Sequence, residues 1–136
     1  MAKDFALSIV APDRSVVEDR AQSVVAPGIE GYFGVMAGHL PMVSALRPGI
    51  VEYLDGKGQR HHIAVSGGFA EISGERLTIL ADSASRASEI DIRQEEERLE
   101  RARRALRGED AAMNSQEATA EIERAMARIR AAQRSS

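Results

Sequence analysis

Three histidines, His39, His61 and His62, are the only imidazoles in the 136-residue chain, and cysteine is absent. A general base or a metal ligand near neutral pH would come first from this short set. His61 and His62 are neighbours in a run that reads as a strand, so their side chains leave opposite faces and do not converge on one ion. A nucleophilic serine would be Ser44 or Ser66 beside His39, yet neither stands in a nucleophile-elbow pattern. Gly31, Gly34 and Gly38 are not followed by the Gly-Lys-Ser/Thr of a phosphate loop. Without cysteine there is no thiolate nucleophile, thiol metal site or disulfide. One enzymatic reading remains as the alternative, a small metal-dependent β-sandwich enzyme that uses His39, His61 or His62. The leading expectation is that no residue is catalytic and no metal or cofactor is held.

Charge narrows the partners. The chain carries a net −3, and residues 88–136 hold ten arginines against eleven acids. That is a mixed-charge surface, not a stripe for nucleic acid. The first residues, Met1-Ala2-Lys3-Asp4-Phe5, meet an acid at once, so no signal peptide is expected. No window approaches eighteen apolar residues, so no direct membrane insertion is expected.

The elements that position these groups divide near residue 87. All glycines but Gly108, all four prolines, and every aromatic and histidine lie before it. Two parts follow: a β domain over 1–87 and a helical hairpin over 88–136. Phe5 to Val10, Ser15 to Glu18 and Ser23 to Ala26 read as short strands closed by Pro12-Asp13 and Pro27-Gly28. Ile50 to Leu54 and Arg60 to Val65 form a hairpin across Asp55-Gly56-Lys57-Gly58; Phe69 to Ile72 and Leu77 to Ala81 form another across Ser73-Gly74-Glu75-Arg76. Ser66-Gly67-Gly68 reads as a bulge or a crossing between sheets. The segment from Gly31 to Gly49 mixes four glycines and two prolines with Tyr32, Phe33, Met36, Leu40 and Met42, and is expected to be a shaped loop that shows apolar residues to a partner. Short, evenly spaced strands without βαβ alternation predict an antiparallel sandwich or flattened barrel.

In the tail, either Ser88 or Asp91 is expected to cap a helix running to about Arg107. Asn114, with Glu117 three residues on, caps a second helix running to about Gln133. Glu89–Arg93, Glu97–Arg101 and Glu100–Arg104 are expected i, i+4 pairs worth ~0.2–0.5 kcal/mol each. The apolar faces are thin: Leu99, Ala102 and Leu106, then Ala118, Ile122, Ala125, Met126, Ile129 and Ala132. One buried aliphatic side chain gives roughly 1.5–3 kcal/mol, while ordering a residue costs about 1–2 kcal/mol. Such a hairpin must lean on the β domain or on another protein.

Three stretches together resemble the epsilon subunit of F-type ATP synthase. They are Gly31-Tyr32-Phe33-Gly34-Val35-Met36-Ala37-Gly38-His39-Leu40-Pro41, then Val65-Ser66-Gly67-Gly68-Phe69-Ala70-Glu71-Ile72, then Leu77-Thr78-Ile79-Leu80-Ala81-Asp82-Ser83-Ala84. The resemblance covers essentially the whole chain. It implies an α+β fold, with a β-sandwich of about ten strands followed by a two-helix antiparallel hairpin. It implies a non-catalytic rotor subunit that binds the gamma subunit and the c-ring and couples proton flow to ATP synthesis. Its place would be the cytoplasmic face of the bacterial inner membrane, peripherally, with the hairpin able to reach the alpha/beta head and restrain ATP hydrolysis. Glu30, Gly31 and Tyr32 would face the c-ring; His39, Met42 and Val43 would lie near gamma. Some members bind ATP in the folded hairpin through an Ile-Asp-x-x-Arg-Ala signature and further arginines. Here Ile90 and Asp91 match, Gln94 and Glu95 replace Arg and Ala, and Arg101, Arg124 and Arg128 stand at the other positions. A lost arginine and an added carboxylate beside phosphates oppose binding, since a charged hydrogen bond is worth ~1.5–3 kcal/mol. ATP is therefore expected to bind weakly or not at all.

Overall fold

The computed structural model describes residues 3–134. Seven strands precede two helices: β1 Phe5–Ala11, β2 Arg14–Gly28, β3 Gly31–Met36, β4 Met42–Asp55, β5 Arg60–Ser73, β6 Arg76–Ala81, β7 Ala84–Arg86, then α1 Ile92–Leu106 and α2 Ser115–Arg134. Strand order is β1-β6-β5-β4-β2-β3, with β7 beside β5, and β1 also pairs β2. That last pairing closes a flattened barrel of two layers around one core. Among the described residues only the β1–β6 pair is parallel.

About ten strands were expected and seven are present, because β2, β4 and β5 are long and bend from one layer into the other. The first half of β2 pairs β1, and its second half pairs β3 and β4. The last residues of β5 pair β6, and its first half pairs β7. The two runs read as separate strands at Ser15 to Glu18 and Ser23 to Ala26 are thus one strand, with register shifts at Ala21/Ser23 and Val25/Gly28 marking the bend. Bends also re-aim side chains. In β4, Leu46 faces the core, and past Pro48-Gly49 it is Val51 and Tyr53 that do; in β5, Ile63 and Val65 face it, and past Gly67-Gly68 it is Ala70 and Ile72. The Ser66-Gly67-Gly68 segment is therefore the crossing between layers. Gly67 and Gly68 have φ of +113° and +131°, and a Cβ at Gly68 would overlap the Leu80 carbonyl oxygen.

Both tight hairpins form as read, with Leu54 opposite Arg60 and Ser73 opposite Arg76. The segment from Gly31 to Gly49 is not a loop. Residues 31–36 are β3 and the segment from Met42 onward is β4, leaving only 37–41 between them. Its turn formers sit inside strands because β3 is short and β4 bends at Pro48-Gly49. The core is aliphatic, with Leu7, Ile9, Val24, Val51, Ile63, Leu77 and Ile79 fully buried. Truncating Ile79 or Leu7 to alanine would cost about 2–5 kcal/mol.

Asp91, not Ser88, caps α1: its side chain accepts from the Gln94 N–H at 3.2 Å. Residues Ala87–Glu89 form a 3-10 turn instead. Gly108, at φ +80°, ends α1 in a Schellman motif, with Gly108 N–H to Ala105 O at 3.0 Å and Glu109 N–H to Arg104 O at 2.9 Å. Asn114 caps α2, its Oδ1 accepting from the Glu117 N–H at 2.8 Å, while its side-chain Nδ2 donates to Glu117 Oε1 at 3.0 Å. The expected surface pairs are rearranged. Glu89 pairs with Arg14 at 2.9 Å and Glu100 with Arg107 at 3.5 Å, while Glu97 lies 4.0 Å from Arg93. Exposed pairs differ by only tenths of a kcal/mol, so a nearer partner readily wins.

The hairpin rests on the sheet through α2. Residues advance about 100° per step on a helix, which sets Ala118 and Ala125 on one side and Ala127 and Ala131 on the other. All four are buried. Ala131 packs with Ile50, Ala64 and Ala87, and Ile90 closes the cluster. Leu106 and Met126, expected on the apolar faces, are instead 48% and 38% exposed, because a seam of alanines brings the backbones close and leaves long side chains at its rim.

Candidate functional site

The turn after β2 and the first half of β4 form an open groove. Gly28 pairs Gly31 across Ile29-Glu30, Gly31 adopting φ +135°, and the Ile29 N–H donates to Ala45 O at 3.1 Å. The turn is thereby tied down beside β4. The groove measures about 530 Å³ and is lined by Glu30, Gly31, Tyr32, Met42 and Val43 together with Ile29, Phe33 and Ala45. Glu30 is the one charged residue in that lining. Ile29 and Val43 are 61% and 67% exposed, whereas Met42 is half-buried against the core. Five of the six residues expected to contact partners thus meet in one place. His39 does not: it lies in the 37–41 connection, where its N–H donates to Met36 O at 3.2 Å and its Nδ1 lies 2.8 Å from Leu40 O.

Val43 also belongs to a second feature, the outer face of the layer that the helices leave uncovered. Val10, Leu80, Phe69 and Ala45 stand in one cross-strand row over β1, β6, β5 and β4. Phe69 and Leu80 are each 57% exposed. An aromatic and two aliphatic side chains, Phe69, Leu80 and Val43, are thus left in contact with water on one face of the sheet.

The histidines are separately engaged. His61 Nε2 donates to Asp55 Oδ2 at 2.7 Å, and His62 Nε2 lies 2.8 Å from Glu52 Oε1. Asp55 Oδ1 also accepts from the N–H groups of Lys57 and Gln59 at 2.8 and 2.9 Å. The His61 hydrogen bond, with those backbone donors, holds the Asp55 carboxyl down at about 2. Tyr53 stacks on His61 with ring centroids 4.6 Å apart and donates to Asp19 Oδ2 at 2.9 Å. Burial, then Asp19, pushes its phenol up to about 12. Ligand atoms of Asp19, Asp55 and His61 lie within 4.8 Å of one another, but Asp55 and His61 are spent on each other and on the β4–β5 turn. His39, His61 and His62 do not converge, so the metal-enzyme reading loses its ligand set.

In the hairpin, Ile90 belongs to the apolar cluster under α2 and Asp91 is occupied as the α1 cap. Arg101 and Arg124 come together with Arg98, Met113, Glu117, Ala120 and Glu121 around a groove of about 460 Å³. Arg124 pairs with Glu121 at 2.7 Å, and Arg128 pairs with Glu95 at 3.2 Å.

Residues 4–87 match the family model described as the ATP synthase, Delta/Epsilon chain, beta-sandwich domain. ATP synthase epsilon chains of Nitratidesulfovibrio vulgaris (strain DP4) and Moorella thermoacetica are 42% and 40% identical, over 96% and 93% of this chain and 96% and 94% of their own. The chain belongs to the ATP synthase epsilon chain family. A chain of the Euglena gracilis mitochondrial ATP synthase, solved with its c-ring, superposes with a TM-score of 0.78 at 27% identity, covering 90% of this chain and 78% of that one. A chain of the Tetrahymena thermophila mitochondrial ATP synthase, at TM-score 0.55 and 10% identity, covers 98% of this chain and shares the fold. As an epsilon chain it is a non-catalytic stalk subunit of the ATP synthase complex.

The structure also brings forward residues that the sequence alone leaves unmarked. Phe69 and Leu80 were not singled out, although the tight Ser73–Arg76 turn fixes them opposite each other and alternation turns both outward. Glu95 was noted only as a departure from a signature, and its burial had no local signal. Ala127 and Ala131 were missed because their face of α2 has meaning only against the sheet.

Proposed function

We propose that this epsilon chain joins gamma to the c-ring in the central stalk, with residues 1–87 carrying both contacts and residues 88–136 acting as a docked regulatory hairpin. The single observation that carries the reading is the groove, where Glu30, Gly31 and Tyr32 on one wall meet Met42 and Val43 on the other. The turn carrying Glu30, Gly31 and Tyr32 lies on the c-ring, and the outer face continuous with Val43, including Phe69 and Leu80, lies on gamma. His39 adds to the rim of the gamma contact. A partner that buries Phe69, Leu80 and Val43 gains roughly 1.5–3 kcal/mol for each side chain fully taken from water. Glu30 gives the c-ring contact its charge selectivity.

The subunit sits at the membrane through its partners, on the cytoplasmic face of the bacterial plasma membrane. Among the described residues no helix is long and apolar enough to cross a bilayer. The alanine seam under α2 is thin enough for the hairpin to leave the sheet and approach the alpha/beta head. ATP is not a ligand that this release depends on, because Arg128 and Asp91 are already engaged. The test is to delete residues after Ala87 in the assembled enzyme. ATP-driven proton pumping is expected to persist, with faster ATP hydrolysis; loss of gamma from the purified complex would count against placing both contacts in residues 1–87.

A further inference from the structure

Tyr32 stands on β3, with β2 between it and β4, yet its hydroxyl accepts from the Ile50 N–H of β4 at 3.0 Å. The reason lies in the β2–β4 ladder, which shifts register between Val25 and Gly28 as pairing passes from Glu52 to Leu46. Ile50 falls in that gap, 2% exposed, and its N–H meets a side chain where a strand carbonyl would otherwise stand. A buried N–H that loses its acceptor is costly, because water does not reach it. A Cβ at Gly49 would crowd both the Tyr32 hydroxyl and Pro27, so the hydroxyl sits in a notch that only glycine leaves open. The rest of the side chain is in water, Tyr32 being 55% exposed. It lines two grooves at once. One is the groove it shares with Glu30, Gly31, Met42 and Val43. The other, of about 370 Å³, runs between the sheet and α2 and brings Tyr32, Val25, Ile50 and Glu52 together with Arg130 and Arg134. Between those two arginines in the helix lies Ala131, which packs on Ile50.

We propose that Tyr32 couples the two grooves: a partner seated on the turn from Ile29 to Tyr32 holds the phenol in its notch, and thereby holds α2 down on the sheet. In the free chain the exposed phenol can swing into water, and each departure strips Ile50 of its acceptor beneath Ala131. A partner that covers the phenol binds the seated state better than the departed one. Docked α2 also favours the seated state, so by linkage each of the two favours the other. The hydroxyl is the essential atom, because Tyr32→Phe keeps the aromatic wall of both grooves and removes only the acceptor. Ile50 belongs to the small cluster under α2 and not to the main core, so the change is felt at the helix before it is felt in the barrel. The inference takes the c-ring as the partner from the function proposed above. The dependence of docking on Tyr32 stands on this chain alone.

The test is hydrogen exchange of the α2 backbone amides in the full chain and in Tyr32→Phe, each alone and with the detergent-purified c-ring of the same enzyme. Co-sedimentation measures c-ring binding on the same samples. Alone, Tyr32→Phe is expected to exchange several-fold faster than the parent in α2, with β1 and β6 unchanged. With the c-ring bound, α2 of the parent is expected to slow several-fold, and α2 of Tyr32→Phe to keep its free rate. Equal α2 exchange in the two free chains, or faster exchange spread through β1 and β6 as well, overturns the role of the hydroxyl. Binding of the c-ring without slowing of the parent's α2 overturns the coupling and leaves the c-ring contact standing. Equal slowing in both chains overturns the coupling through Tyr32 in the same way. Absence of c-ring binding by the parent overturns the contact and the coupling together.

Discussion

The hydroxyl of Tyr32 accepts a hydrogen bond from the backbone N–H of Ile50 at 3.0 Å, and Ile50 is the residue on which Ala131 of α2 packs. A wall of the groove and the bed on which α2 packs are thus one hydrogen bond apart. Tyr32 reaches Ile50 by lying over Gly49, where a Cβ would stand 2.7 Å from the Tyr32 hydroxyl and 2.7 Å from Pro27 Cβ.

Gly49→Ala is accordingly expected to destabilise the chain by about 1–3 kcal/mol, the usual range for overpacking. The Tyr32 side chain can swing away, but the buried Pro27 ring cannot. Urea unfolding measures the loss, and proteolysis of the hairpin should quicken with it because Ile50 shifts. An unchanged midpoint would show that the strand pair yields without cost.

Asp55 sets an acid limb. Its carboxyl is held at about 2 against an ordinary value of 3.8, so the folded state favours the charged form. The stability this supplies is complete above about pH 4 to 5 and is lost as pH falls through 4 towards 2. Urea unfolding of the parent and of Asp55→Asn should therefore differ by a constant amount from pH 7 to 5. The gap should narrow below pH 4. A gap that widens in acid would contradict the assigned hydrogen bonds.

Calorimetric titration with magnesium ATP is expected to give no binding in the micromolar range. Asp91 is committed to the α1 cap, and Glu95 already holds Arg128. A micromolar dissociation constant would require the hairpin to rearrange those contacts and would overturn that part of the account.

Local chemistry made some of the fold legible. Asp55-Gly56-Lys57-Gly58 and Ser73-Gly74-Glu75-Arg76 declare their turns within four residues, and Asn114 with Glu117 declares a helix start. What escaped depends on distance. Gly67-Gly68 was legible as a bulge or crossing, but Pro48-Gly49 looks like loop chemistry and here lets β4 change layer and exchange its inward set. Glu95 sits among Glu96 and Glu97 and reads as solvated; the Arg128 that buries it is 33 positions away. The groove residues were named from resemblance, and only the β2–β3 turn folding beside β4 brings them together.

On the proposed function, the face bearing Val43, Phe69 and Leu80 binds gamma. The most direct measurement is the affinity of the purified chain for the gamma subunit of its own enzyme, comparing the parent with Val43→Glu, Phe69→Glu and Met42→Glu. Val43 and Phe69 are exposed, so their variants should keep the parent's melting temperature and bind gamma at least about tenfold more weakly, a loss of roughly 1.4 kcal/mol. Met42→Glu, half-buried against the core, should lower the melting temperature first. Parent-like affinity in both Val43→Glu and Phe69→Glu would put gamma elsewhere and contradict the account.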